Sequence, residues 1–234
     1  MSETPSLSLP VIAPAQAQKH VTHNDALMML DALVQLSVIS RSLTAPPATP
    51  GEGDRYLVPA AATGDWAGHD HSIAAWHDGA WRFFPPQEGW RCVVVEEGGD
   101  TRFLHGRWRQ GHAITSFGSA LVFDAIAETH VLDAAVTSDT AIVIPQRSLL
   151  FGVTCLVTDP VTGPASFAVG VSGDAQRFGN GIGTGLNSQL NGPAQPIVYW
   201  ADTPIRFTSP DVPFTGGIVQ VSAHIARLQI PDFQ

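Results

Sequence analysis

The sequence is poor in charge. Only 14% of its 234 residues are Asp, Glu, Lys or Arg, against roughly a quarter in ordinary globular proteins. Its 12 basic residues face 21 acidic ones, a net charge of −9, and such a chain repels a phosphate backbone or an anionic membrane instead of releasing counterions from it. Nucleic acid is therefore excluded as a partner class. No apolar run approaches the ~18 residues that span a bilayer, so no membrane insertion is expected. The opening "MSETPSLSLP" lacks the basic start and apolar core of a secretory signal, and cytoplasmic synthesis and assembly are expected.

Cysteine is almost missing. Cys92 and Cys155 stand far apart and offer neither a CxxC metal clip nor a disulfide framework. Cys155 shares an alternating face with Phe151, Val153 and Val157, the pattern of a buried free thiol. A nucleotide-binding fingerprint is missing too. The glycines of "FGNGIGTGLNSQLNG" fall at 179, 181, 183 and 185, and the sixth place counted from 179 is Thr184, from 181 Leu186, so GxGxxG fails. Alternate glycines leave one strand face bare for close approach of a backbone, here expected between subunits. A GxSxG elbow is absent, and Ser172 in "VGVSGD" sits in a turn context with no following helix.

Glycine (22) and proline (18) are abundant, which favours short strands joined by tight turns. The first fifteen residues, with Pro5, Pro10 and Pro14, read as an extended arm that needs a partner. From about Ala17 to Arg41, Val21, Leu27, Leu30, Val34 and Val38 recur at helical spacing, beside a second row of Ala26, Met29, Leu33 and Leu36. Thr22 with Asp25 resembles a capping box that would start the well-formed helix. A face that wide predicts pairing with the same helix of another subunit, with packing onto the chain's own β domain as the alternative. The first row is thus the expected oligomerisation and attachment face.

"TAPPATPGEG", residues 44 to 53, reads as a linker. Beyond it "AAWHDGAWRFF" carries an Asp78-Gly79 hairpin signal, and "RCVVVEEGGDTRFLHGRW" a second hairpin turning at "EGGD". With Asp78 and Gly79 in the turn, Trp76 faces Trp81 across a non-hydrogen-bonded pair and His77 points away from them. Trp66 and Trp90 are expected to close this cluster, which reads as the core of a small module more than as a ligand site. From about Ile114 onward, "TAIVIP", "LLFGVTCLVT", "SFAVGVS", "PIVYW", "PIRFTS" and "GGIVQVSAHIARLQI" read as strands of an antiparallel sandwich. In the last, Val219, Val221, Ala223 and Ile225 face opposite Gln220, Ser222 and His224.

The expected fold is thus mainly β, with an arm and helix over 1–45, a small Trp-rich β module over 46–112 and a jelly-roll-like β-sandwich over 113–234. No catalytic residue emerges. Asp133, Asp139, Asp159, Asp174, Asp202, Asp211 and Asp232 sit mostly beside turn formers. His20 with His23, and His69 with His71, are candidate metal pairs, but neither has an evident third ligand, so no metal and no cofactor are expected.

Three stretches carry a family likeness: "LPVIAPAQAQKHVTHNDALMMLDALVQL", "ATGDWAGHDHSIAAWHDGAWRFFPPQEGWR" and "FGNGIGTGLNSQLNGPAQPIVYWADTPIRFTSP". They resemble a domain family of formally unknown function found in fibre or spike proteins of alphaproteobacterial prophages and gene transfer agents. His71 stands where that pattern accepts a small residue. The resemblance implies a homo-oligomer, expected as a trimer, docked by its N-terminal part on a baseplate, tail or head attachment protein. The β tip would reach host cell-surface polysaccharide from a particle assembled in the bacterial cytoplasm and released on lysis. The resemblance supplies no catalytic residue. Asn180, Asn187, Gln189, Asn191, Tyr199 and Trp200 are the candidate glycan contacts. A purely structural connector and a capsule-degrading enzyme are the alternatives.

Overall fold

A computed structural model describes Thr4, Leu9, Val11 and residues 19–231, with the side chains of 19–22 outside the description. Pro5, Pro10, Pro14, the side chains of His20, Val21 and Thr22, and Asp232 therefore lie outside the described residues. The protein is mainly β and divides into two compact units, Met1–Gly111 and His112–Gln234.

The first unit opens with helix α1, Lys19–Leu33. It starts before Thr22 and ends well short of Arg41. Gln35 turns left-handed at φ 51°, a helix C-cap conformation, and the chain continues as strand β1, Ser37–Val38. Leu36, Val38 and Ser40 are buried while Ile39 is exposed. Leu36 and Val38 each continue one of the two helical rows and also alternate with period 2, and the β-branched pair Val38-Ile39 resolves toward strand. Val38, expected on the oligomerisation row, is only 1% exposed in the unit's own core.

Two small sheets complete this unit. Strands β2 (Arg55–Leu57), β3 (Ile73–His77) and β4 (Ala80–Phe84) pair in that order. Strands β5 (Arg91–Val94), β6 (Gly99–Leu104) and β7 (Arg107–Gln110) follow β1, which joins β5 in parallel. Both expected hairpins are present, with Trp76 opposite Trp81 and Val94 opposite Gly99, but the second turns through Val95–Gly98 and not at "EGGD", since Gly99 and Asp100 already pair in β6. The expected linker is folded in. Thr63 N–H donates to the Thr44 carbonyl, Gly51 N–H to Asp54, and Asp78 N–H to Glu52. Helix and Trp-rich module thus belong to one unit, not two.

The N-terminal segment also finds a partner within the chain at Thr4. That residue is 2% exposed, donates from Oγ1 to Asp31 Oδ1 at 2.6 Å, and accepts the Leu9 N–H at 3.0 Å.

In the second unit, strands β8 (Ala113–Ile114), β9 (Ala120–Val131), β10 (Thr137–Ile144), β11 (Leu149–Thr162), β12 (Ser166–Val171), β13 (Asp174–Gly183), β14 (Gln189–Val198), β15 (Thr203–Thr208) and β16 (Gly216–Gln229) build two antiparallel sheets. Their orders are β14-β11-β16-β9-β8 and β10-β15-β12-β13. Between them lies an apolar core that includes Leu150, Val153, Cys155, Phe167, Phe207, Phe214, Val221 and Ile225. In β16 the alternation falls as the sequence predicts, with Val219, Val221, Ala223 and Ile225 all inward.

A bulge between Leu150 and Gly152 turns Phe151 outward, to 37% exposure, so it leaves the Cys155 face assigned to it by alternation. Gly179 and Gly183 of the glycine strand serve approaches inside the chain, while Gly181 takes φ 66° with open space where a side chain would stand. A side chain at Gly192 would collide with the Phe178 carbonyl oxygen, and one at Gly179 with Leu190, so β13 and β14 close one side of the sandwich on missing atoms.

Candidate functional site

The tryptophan cluster is a core. Trp66 is 0% exposed, its ring 5.4 Å from Trp81 and 5.5 Å from Tyr56, and Trp76 meets Trp81 edge-on at 5.1 Å. These tilted and edge contacts are the arrangement aromatic quadrupoles prefer. Trp90 does not join them. It packs with Leu36, Val38, Cys92 and Trp108 in a neighbouring cluster. The void beside Trp76 and His77 measures only about 20 Å³, which has room for a water molecule and none for a sugar.

Of the histidines in this stretch, His69 lies flat on Phe83 at 3.6 Å, and His71 adopts φ 65° in a turn. "HDH" is not a strand, so nothing aims the two rings the same way. His77 instead joins the group with metal-ligand chemistry. Its Nδ1 is 2.5 Å from Glu52 Oε1 and its Nε2 3.3 Å from Asp78 Oδ2, while Glu52 also accepts the Asp78 N–H. An imidazole and two carboxylates could hold an ion. Here both ring nitrogens are engaged on opposite sides of the ring, and the group pins the β3–β4 turn.

The second unit holds a constellation that the sequence did not suggest. His130 Nδ1 is 2.8 Å from Glu128 Oε1, and His130 Nε2 is 2.8 Å from Ser138 Oγ. Acid, imidazole and hydroxyl in this order match the relay that activates a serine nucleophile. Yet the same Glu128 accepts the N–H groups of Ala141 and Ile142, where β10 is irregular, and His130 stacks on Phe207. Since β9 and β10 belong to different sheets, the group bonds one sheet edge to the other. Its signal was the i, i+2 spacing of Glu128 and His130, hidden because the Ala-rich β9 does not read strongly as strand.

Three of the carboxylates considered for catalysis are tied to separate partners. Asp139 takes both branches of Arg206 at 2.6 and 2.7 Å, and this bidentate bond holds its carboxyl below the usual range. Asp174 meets Arg177, and Asp202 accepts the Gln146 N–H. Burial pushes the thiols of Cys92 and Cys155 up to about 12, which makes both unreactive.

The six expected glycan contacts do not form one site. Asn187 bonds Val157 through its N–H, whereas Tyr199, next to Trp200, bonds Ser148. Val157 and Ser148 lie at opposite ends of the paired part of β11, roughly 25–30 Å apart at ~3.3 Å per residue. Asn180 accepts the Gly181 N–H on β13. Gln189 and Asn191 stand on β14 opposite Leu156 and Thr154. Tyr199 is half-buried with Arg177 6.0 Å over its ring. Trp200 alone of the six offers a large exposed aromatic face, at 79%. The loop behind it is fixed: Arg147 N–H donates to the Tyr199 carbonyl at 2.5 Å, and Tyr199 N–H to Ser148 at 3.1 Å.

On α1, Met29 and Leu30 are 51% and 50% exposed and Leu27 is half-buried, and Val34, just past the helix end, is 43% exposed. Among the described residues, no helix is long and apolar enough to cross a membrane.

The fold is thus a mainly β chain with a sandwich as its second unit. A family model described as "Protein of unknown function (DUF2793)" matches residues 23–109, entirely within the first unit. No curated protein matches. A chain of the cyanophage Pam1 capsid asymmetric unit is similar over 47% of this chain and 84% of its own length, at 18% identity and a TM-score of 0.33. Likeness of that degree identifies neither fold nor role.

Proposed function

We propose that the chain is a structural component of a phage-like particle, a tail fibre or spike. In this reading the first unit docks on the particle and the second contacts a host surface glycan. The particle role rests on the three stretches that resemble prophage and gene transfer agent fibres, two of which overlap the residues matched by the family model. No enzymatic step is part of this reading. The first unit would assemble through the row Leu27, Leu30 and Val34, whose outer residues are half exposed in the single chain.

The observation that carries attachment is Trp200. An indole 79% exposed on a loop held by backbone hydrogen bonds is a rigid platform for the apolar face of a sugar ring, with Gln146, Arg147 and Asp202 as polar neighbours along the same loops. The test is a glycan array with the full chain, alongside Trp200→Ala. Binding to bacterial surface saccharides that drops at least tenfold in the variant supports attachment. No binding by the intact, assembled chain leaves the purely structural connector instead. Shortening of the polysaccharide on incubation would make the chain a depolymerase.

A further inference from the structure

Strand β9 turns Ala120, Val122 and Ile126 to the core, yet it carries its charges on that side as well. Its charged side chains Asp124 and Glu128 point inward, where one meets Arg227 and the other the backbone of β10. Its outward positions are Phe123, Ala125, Ala127, Thr129 and Val131, all exposed. Phe123 and Val131 reach 48% and 56% exposure. A strand whose outer face met only water would carry the opposite pattern.

The neighbouring strands agree. Phe123 pairs with Ala226 of β16, which pairs with Leu149 of β11, which pairs with Val198 of β14, an apolar row across four strands. Leu228 beside it is 81% exposed, and Phe151 lies 5.9 Å from Phe123. Further along, Thr154 Oγ1 and His224 Nε2 are 3.1 Å apart on the same face. Across Leu121–Val131, Gln220–Leu228, Leu149–Leu156 and Gln189–Val198 no outward position is Asp, Glu, Lys or Arg, and exposed Asp159, paired with Ile218, marks the margin of the face.

We propose that this outer face of the five-stranded sheet is where the chain packs against further copies of itself. Four full strands at ~4.8 Å spacing and about ten residues at ~3.3 Å give a face of roughly 600–700 Å² in projection, close to the ~800 Å² of accessible surface that each partner buries in a stable interface. Copies of a chain with net charge −9 repel one another wherever acidic surfaces meet, and an uncharged face is where they can close. A face used against its own copies yields a twofold pair or a closed ring. The proposal rests on the reading of the chain as self-assembling but uses a surface separate from α1, so the two surfaces can fail independently.

The experiment is light scattering on the full chain after size exclusion, with circular dichroism and a thermal melt as checks of folding. Ala127→Glu puts a charge at the middle of the face. Phe123→Ser removes apolar area without adding charge, and Leu30→Glu puts a charge on α1 as Ala127→Glu does on the sheet. The native chain is expected at an integral multiple of 24.8 kDa, with Ala127→Glu reduced to a smaller species and Phe123→Ser dissociating at a concentration at least tenfold higher, both with a native spectrum. Folded face variants that keep the native mass overturn the proposal. If Leu30→Glu alone dissociates, assembly through α1 survives and the sheet face does not. A native chain that is monomeric at tens of micromolar overturns both and points to a different protein or a polysaccharide as the occupant.

Discussion

Arg55 on β2 donates from Nη1 to the carbonyl oxygen of Ala32 at 3.2 Å, and so caps the end of α1 with a charge from the Trp-rich module. The same nitrogen donates to the Asp31 carbonyl oxygen at 3.3 Å, and Nη2 donates to Ser37 Oγ. The last carbonyls of a helix have no partner within it and carry partial negative charge, so a guanidinium is well matched to them. Arg55→Ala should destabilise the first unit by about 2 kcal/mol in urea unfolding. Limited proteolysis should then cut first between α1 and β2. A variant that unfolds like the native chain would show the helix to be held by apolar contacts alone.

The two thiols should be silent. With Cys92 2% and Cys155 4% exposed and both raised to about 12, iodoacetamide at pH 8 should label neither in the native protein and both in 6 M guanidinium. Each unit carries one cysteine, so site-resolved labelling during a denaturant titration reports their unfolding separately. Rapid native labelling at either site would contradict the packing described.

Ser138 should behave as a fastener and not as a nucleophile. Ser138→Ala is expected to cost no more than about 1 kcal/mol. His130→Ala should cost more, because Glu128 loses its imidazole partner and Phe207 its stacked ring. A fluorophosphonate probe should leave the protein unmodified by mass spectrometry. Stoichiometric labelling at Ser138, lost in His130→Ala, would mean that the relay is chemically active.

Acid should loosen the second unit through Asp139. Its carboxyl is held low by Arg206, so this pair contributes stability above the unfolded-state value of ~3.9 and loses it as pH falls from there toward the folded-state value. The side chain is 40% exposed, which limits the contribution to about 1 kcal/mol. Urea midpoints measured from pH 7 to pH 3 should fall less steeply for Asp139→Asn. Parallel curves for the two proteins would assign the acid sensitivity to other groups.

What the sequence disclosed follows the range of the interactions involved. The pairing of Trp76 with Trp81 was legible because a two-residue Asp-Gly turn fixes register locally. The sandwich was legible from alternation and turns. The end of α1 was not, since Leu36 and Val38 fit two periods and only packing against β5 decides between them. Trp90 was drawn to the wrong cluster because nearness in sequence stood in for nearness in space. The same assumption joined Asn187 to Trp200, which lie at opposite ends of a strand. Glu128, His130 and Ser138 come together only because two sheet edges do, and local pattern says nothing about that.

The pairing of β9 with β16 has a consequence in time. Asp124 and its partner Arg227 are 103 positions apart, and the ladder between their strands runs through twelve paired residues. At roughly 5–20 residues per second of synthesis, the first of these strands waits several seconds for the second. The sandwich cannot close by degrees as the ribosome advances. Its central ladder forms after nearly the whole of this segment has been made, which favours late, slow, all-or-none folding and exposes β9, with its apolar outer row, to any holdase present in the interval.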